Sequence, residues 1–474
     1  MHPNRDELTA LFSRASAHAL SFRTSITDRP QRPERSYGEM RQRFEAPVPE
    51  TGDAGPDVLE ELARLAAPGL HATTGPRFFG WVIGGSHPVG VAADWLASAW
   101  GQNAGNHTAA PAAAAAEAVA AAWMLDLLHL PRQASVGFVT GATMANFVCL
   151  TAARDAVLRH SGWDVEQKGL SGSPPIRVLI GDDAHTTVFS ALHYLGFGRD
   201  NLARVATDAR GAMSMDDFEA KLGEAEGAVI VITQAGQINT GAFDPHQAIV
   251  PLARSRDAWI HVDGAFGLWA RACPSRASLA QGVEAADSWA TDGHKWLQTP
   301  YDCGYAFVRD AEAHRRAMTI AASYLPPVNG SERDPSHYVP ELSRRARGFA
   351  TWAMLKHLGR QGVAELVDRH CTLAALMAGL LRAEPGVAIL NEVVLNQVLV
   401  RFGDAEPADT GDKLTLSTIE RLQQDGTCFA GVAKWRDRWA MRLSVIGYST
   451  TEDDIRRSAE AILQCWRDAR AQAS

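Results

Sequence analysis

From about Val136 the chain alternates short apolar runs, rich in β-branched and aromatic residues, with longer helical stretches. The runs are VGFVT (136–140), RVLIG (177–181), ARVAT (203–207), AVIVIT (228–233), AWIHVD (258–263), SWATD (288–292) and CGYAFVRD (303–310). Runs that are apolar on both faces and separated by helices predict a mainly parallel sheet covered on both sides, an α/β class of fold. Residues 1–65 are different: polar, Pro- and Arg-rich between Asp28 and Glu50, with one helix predicted near Glu7–Leu20. They read as an arm that folds on a partner subunit. An irregular stretch, Tyr324–Pro340, closes the sheet-bearing region. From Ser343 the pattern turns helical, with strands expected near 387–402 and 439–446 and a last helix from Glu452. The expected organisation is an arm (1–65), a large α/β domain (66–340) and a small C-terminal α+β domain (341–474).

Ligands of open α/β sheets bind beyond the carboxyl ends of the strands. Polar residues just after the runs are therefore the candidates: Gly141–Thr143, His185, Asp263 and Lys295. Lys295, in ATDGHKWLQTP, follows a buried strand between His294 and Trp296, where a partly desolvated amine can form a Schiff base; a surface lysine opening a loop is the plainer alternative. Asp263 ends the strand of HVDGAFG, and a carboxylate buried there needs a cationic or donor partner. A pyridinium N–H is such a partner, a strand-end cap the simpler one. His185, in GDDAHTTVFSALHYLG, opens a helix, where its ring can stack on an aromatic ligand or satisfy the backbone. Gly141, Ala142 and Thr143 form a strand-to-helix turn whose free N–H groups and dipole favour an anion. Taken together, the four positions are what one cofactor demands: pyridoxal 5'-phosphate, with a phosphate, a ring, a pyridine nitrogen and an aldehyde to hold.

Charge and composition narrow the rest. Of 474 residues, 46 are Lys or Arg and 54 Asp or Glu, for a net charge of −8. That balance, without a basic run, argues against nucleic acid as a partner. The most apolar stretch, 109–128, is Ala-rich and broken by Glu117 and Asp126, so it reads as a soluble helix, and no membrane partner is expected. The N-terminus has no signal-peptide pattern. Six scattered cysteines without a C-x-x-C pair disfavour a disulfide framework or a metal site and suggest a reduced, cytoplasmic setting. No P-loop, HExxH or GxSxG occurs.

The motifs TGATMAN, DDAHTTV, TGAFDP, HVDGAFG, DGHKWL and SRRARGFATWAMLKHLGRQGVAELVDR, in this order, resemble the group II pyridoxal-phosphate-dependent amino-acid decarboxylases, which include the aromatic-amino-acid and glutamate decarboxylases. The likeness runs from about HATTGPRFFG (71–80) to MRLSVIGYSTTEDD (441–454). It implies the pyridoxal-phosphate-dependent transferase fold type I, with a mainly parallel seven-stranded sheet in the large domain. It also implies a homodimer with active sites at the interface. On this resemblance Lys295 is the Schiff-base lysine, Asp263 the partner of the pyridine nitrogen and His185 the residue stacked on the ring, with Ala265 on the opposite face. Gly141, Ala142, Thr143 and His294 fall by the phosphate. Tyr324 matches a loop tyrosine that protonates the carbanion in the aromatic-amino-acid decarboxylases, with Tyr338 a competing donor. Two further cofactor positions depart from the pattern: Gly236-Gln237-Ile238 replaces a common Gly-Thr-Thr, and Asp292 replaces a common Asn or Ser beside the phosphate. Met144 stands where the family frequently has Glu.

The expected reaction is loss of carbon dioxide from an L-amino acid, leaving the amine. The same residues serve an aminotransferase or a C–C lyase, and Arg442 lies in the lobe from which fold-type-I aminotransferases draw a carboxylate-binding arginine. A scaffold without activity is the third possibility, and retention of every cofactor residue argues against it. For the substrate, Phe78, Phe79, Trp81, His87, Asn103 and His107 suit an aromatic side chain at the entrance or equally serve packing. No basic cluster there calls for a second carboxylate, which favours an aromatic or otherwise uncharged amino acid.

Overall fold

Seven strands form the larger sheet: β1 (Ser135–Val139), β2 (Ile176–Gly181), β3 (Leu202–Val205), β4 (Ala228–Gln234), β5 (Trp259–Asp263), β6 (Ser288–Asp292) and β7 (Gly304–Val308). The structure is a computed structural model that describes residues 4–319 and 332–473. Every run expected as a strand is one. The spatial order is β1-β7-β6-β5-β4-β2-β3. Neighbours from β6 through β3 are parallel, while β7 runs antiparallel to both β1 and β6. The sheet is therefore mixed and mostly parallel. β5, β6 and β7 are buried at every position, which is why their sequences show no alternation.

Register brings the chemistry to one end. Gln234 pairs with Asp263 across β4 and β5, and Asp292 pairs with Gly304 across β6 and β7. Gly304 also pairs with Val139 of β1. A Cβ on Gly304 would sit 2.5 Å from the Gly141 Cα, so only glycine lets β7 start against the turn that follows β1. The helix Ala142–His160 leaves that turn and buries Val148, Cys149, Leu150, Ala152 and Leu158 against the sheet. Each large aliphatic side chain so buried contributes about 1.5–3 kcal/mol.

By contact, the chain divides into two units: Val82–Ala378 with Ile389–Leu399, and Met1–Trp81 with Gly379–Ala388 and Val400–Ser474. The first carries the seven-stranded sheet. The second holds most of a smaller sheet of β8 (Val387–Ile389), β9 (Gln397–Phe402), β10 (Gly431–Trp435) and β11 (Arg438–Ser444), in the order β10-β11-β9-β8, with the helix Glu452–Ala473, while Ile389 and Gln397–Leu399 count with the first. β10 was not apparent in the sequence. Its hairpin turns through Arg436 and Asp437, both at positive φ, in place of the Asn-Gly or Asp-Gly that marks such turns. Helices Arg5–Thr24, Tyr37–Phe44 and Gly55–Ala66 bury no residue. The expected soluble helix is Pro111–Leu127, and no described helix is long and apolar enough to cross a membrane. All six cysteines are buried and unbridged.

Candidate active site

Beyond the carboxyl ends of β1, β4, β5 and β6 lies a cavity of about 320 Å³. Its lining includes Gly141, Ala142, Thr143, His185, Asp263, Ala265, Asp292, His294 and Lys295, so nine residues singled out in the sequence meet in one place.

Asp263, the last residue of β5, is 5% exposed and accepts the Ala265 N–H at 3.2 Å. Burial pushes its carboxyl up to about 6, opposed by the nearby Lys295 charge. A carboxylate held against its own preference at the floor of a cavity is matched to a cationic N–H from a ligand. Lys295 follows β6 by three residues, and its Nζ lies 2.9 Å from Asp292 Oδ2. The backbone around it is clamped: Gly84 N–H donates to His294 O at 2.8 Å, and a Cβ on Gly84 would fall 2.3 Å from Lys295 O. The His294 ring lies 3.6 Å from Asp292 and stacks on Tyr301 at 4.4 Å; burial lowers its pKa, partly offset by Asp292. His185 caps the helix Thr186–Tyr194, with Nδ1 2.7 Å from Thr187 Oγ1, and is among the residues lining the cavity.

The helix Ala142–His160 has no side-chain cap of its own. Asp292 Oδ1 supplies it from across the sheet, accepting the Ala142 N–H at 2.6 Å.

Two positions fall elsewhere. Gln237 does not line the cavity: its Oε1 accepts the N–H groups of Asn239 and Thr240, at 2.5 and 3.0 Å, closing its own loop. Tyr324 lies outside the described residues. Tyr338, the competing donor, is placed under the Arg333 guanidinium at 4.5 Å and is not part of the cavity. None of the residues expected at the entrance lines this cavity. Phe78 is buried and stacks on Phe429 at 5.0 Å, Phe79 is buried, His87 caps the helix Pro88–Trp100, Asn103 accepts the Arg344 N–H, and His107 pairs with Asp334 at 2.7 Å. Trp81 is half exposed. The walls are instead Val82, Ile83, Ile238 and Phe266, with Thr187, Gln234 and Tyr301. Apolar residues of that kind carry no signature in sequence. Burial raises the Tyr301 phenol above its ordinary range.

The donor set fits pyridoxal phosphate: a lysine amine, a buried carboxylate, a flanking imidazole and a small residue around one cavity, with a helix N-terminus at its edge. The one discordant group is Asp292, which holds the helix N–H that a phosphate would use.

Comparison with known proteins agrees with this chemistry. Residues 38–402 match the model of the pyridoxal-dependent decarboxylase conserved domain. The chain is similar to tryptophan decarboxylase 1 of Oryza sativa subsp. japonica, 28% identical, with 97% of this chain and 94% of that one covered. It is also 28% identical to the L-2,4-diaminobutyrate decarboxylase of Rhizobium meliloti (strain 1021), covering 89% and 84%. Its fold is similar to the crystal structure of Oryza sativa TDC with PLP and tryptamine, with a TM-score of 0.92, 24% identity and 99% of each chain covered.

Proposed function

The chain belongs to the pyridoxal-dependent decarboxylase family and is a pyridoxal-phosphate-dependent amino-acid decarboxylase; from that premise we propose that it converts an aromatic L-amino acid to its amine and carbon dioxide. The observation that carries this reading is the cavity wall. Val82, Ile83, Ile238 and Phe266 are apolar, and among the described residues Lys295 and two imidazoles are the only basic groups lining the cavity. A second carboxylate, as in glutamate, finds no partner there. Nor does any guanidinium line the cavity to grip an α-carboxylate bidentately, the arrangement that retains it in transamination. Arg442 belongs to the unit of the smaller sheet, on β11.

When bound, pyridoxal phosphate supplies an electron sink conjugated to the substrate's Cα. The chain's residues do the rest. Lys295 would hold the cofactor through its amine and release it to the substrate amine. Asp263 would keep a proton on the pyridine nitrogen, which would make the sink effective. His185 and Ala265 would hold the ring, and Gly141, Ala142, Thr143 and His294 would take the phosphate. Tyr324 would deliver the proton to Cα.

The assembly we propose is a homodimer, with residues 1–65 as an arm on the partner. Trp95, Leu96, Trp100, Trp123 and Trp352 are exposed at 37–52%, and Leu8, Phe12 and Leu20 of the first helix at 39–63%, and apolar surface of this extent favours burial between subunits. Carbon dioxide release from a panel of L-amino acids tests the substrate reading. Tryptophan, tyrosine or phenylalanine is expected to lead; preference for glutamate, cysteine sulfinate or 2,4-diaminobutyrate overturns it.

A further inference from the structure

Asp292 is 2% exposed, and both of its oxygens are engaged at the edge of the cofactor cavity: one by the Ala142 N–H at 2.6 Å, the other by Lys295 Nζ at 2.9 Å. The Ala142 N–H is the first donor of a helix N-terminus, the group a phosphate draws on. Lys295 is the amine that the cofactor's aldehyde consumes. The carboxylate thus holds the two partners that the cofactor itself requires. A Cβ built on Gly141 would lie 3.3 Å from Asp292 Oδ1 and 3.1 Å from the His294 ring, so the space beside that turn is already narrow. Phosphate and carboxylate cannot both have the Ala142 N–H without becoming neighbours.

Above pH 7 a phosphate monoester is a dianion, its second ionisation lying near pH 6. A dianion beside a buried carboxylate is a like-charge pair, and one of the two must bind a proton. The groups facing Asp292 offer little relief. They are Lys295, His294, Asp263, Tyr301 and Tyr305. Lys295 brings at most one positive charge against the three negative charges of carboxylate and dianion, and none once an aldehyde has taken the amine; burial favours the neutral form of the His294 ring, Asp263 adds negative charge, and burial keeps both phenols protonated.

We propose that Asp292 competes with the cofactor's phosphate for the Ala142 N–H, and that the two acids then share one proton, so that cofactor binding at neutral or higher pH takes up a proton through Asp292. The residue would make cofactor retention pH-dependent, tighter in mildly acidic than in alkaline solution. An asparagine at this position would impose no such dependence.

The test uses the full chain freed of cofactor and 4'-deoxypyridoxine 5'-phosphate, which has the phosphate and ring but no aldehyde. Calorimetric titration at pH 8 in buffers of different ionisation enthalpy counts the protons taken up. The parent is expected to take up one proton more than Asp292→Asn, which shares every other titrating group, and Asp292→Asn is expected to bind about tenfold more tightly at pH 8, the advantage vanishing near pH 5.5. Equal proton uptake in the two proteins, or weaker binding by Asp292→Asn across the range, overturns the proposal. If Asp292→Asn does not fold, inorganic phosphate binding to the parent decides. Affinity falling about tenfold per pH unit above pH 7 supports shared protonation, and a flat profile contradicts it.

Discussion

His261 Nε2 lies 2.8 Å from Asn146 Oδ1, which ties a buried imidazole on β5 to the helix that opens the cofactor cavity. An amide oxygen only accepts, so Nε2 carries the hydrogen. Nδ1 then accepts from Ser288 Oγ at 2.9 Å, and Ser288 Oγ accepts from Trp259 Nε1 at 2.9 Å. Burial pushes the His261 pKa down to about 3, so the ring is neutral throughout the working range. Fixed this way, the Asn146 amide nitrogen has no hydrogen-bond partner of its own among the described residues and weakly favours the charged form of Asp263.

Replacing Asn146 by Leu should therefore raise the Asp263 carboxyl further. The amide nitrogen makes no hydrogen bond to Asp263, so what is lost beside the buried charge is a dipole, and kcat/KM should fall only severalfold. The acid limb of its pH profile should move to higher pH, because a carboxylate with a raised pKa is protonated sooner as pH falls. A lower rate with an unmoved acid limb would make Asn146 a packing residue only.

Asp263 itself should trade stability against function. Its carboxyl is raised from about 3.8 to about 6 in the folded chain, so between those values the folded form holds a proton that the unfolded form has released. Stability of the cofactor-free protein thus falls as pH rises through that window, and above pH 6 the penalty is complete, on the order of 2–4 kcal/mol. Asp263→Asn should melt at a higher temperature than the parent at pH 7.5 without cofactor, yet bind cofactor weakly and lose most of its rate. Unchanged melting would mean that the carboxylate is better solvated than its burial indicates.

A second buried charge lies outside the site. Glu117 is fully buried, 2.6 Å from Arg344 and 3.4 Å from Arg333. Arg344 also donates to the carbonyl oxygens of Ala104 and Phe138, fixing the segment after residue 332 to the start of the sheet. Glu117→Leu leaves these guanidinium groups without their counter-charge and should cost about 3–5 kcal/mol by urea denaturation. A loss below about 1 kcal/mol would show that the carbonyls suffice.

The sheet was legible because parallel, doubly covered strands are apolar without interruption, and the site because strand ends carry its polar residues. Lys295, Asp263 and His185 each follow or end such a run. What was not legible shares a different origin. Val82 and Ile83 reach the cavity through the clamp between Gly84 and His294, a contact between distant segments that no local pattern encodes. Gln237 stands where a cofactor contact was expected, but its amide caps the turn at Asn239 and Thr240 instead. Asp292 was noted as a departure, while its capping of a helix beyond the neighbouring strand is a product of sheet order alone.

The proton delivery proposed for Tyr324 can be checked through its absence. Tyr324→Phe should still bind substrate and release carbon dioxide, but without a timely proton at Cα it should consume dioxygen and give aldehyde and ammonia. Amine produced at the parent rate, with no aldehyde, would assign the proton to another group.

The most direct measurement supplies carboxyl-labelled L-tryptophan and pyridoxal phosphate to the parent and to Lys295→Ala, and follows carbon dioxide, amine and keto acid together. The account predicts carbon dioxide and tryptamine in equal amounts from the parent and neither from the variant, which should also retain no cofactor after borohydride reduction. Undiminished turnover by Lys295→Ala, or keto acid in place of amine from the parent, would contradict it.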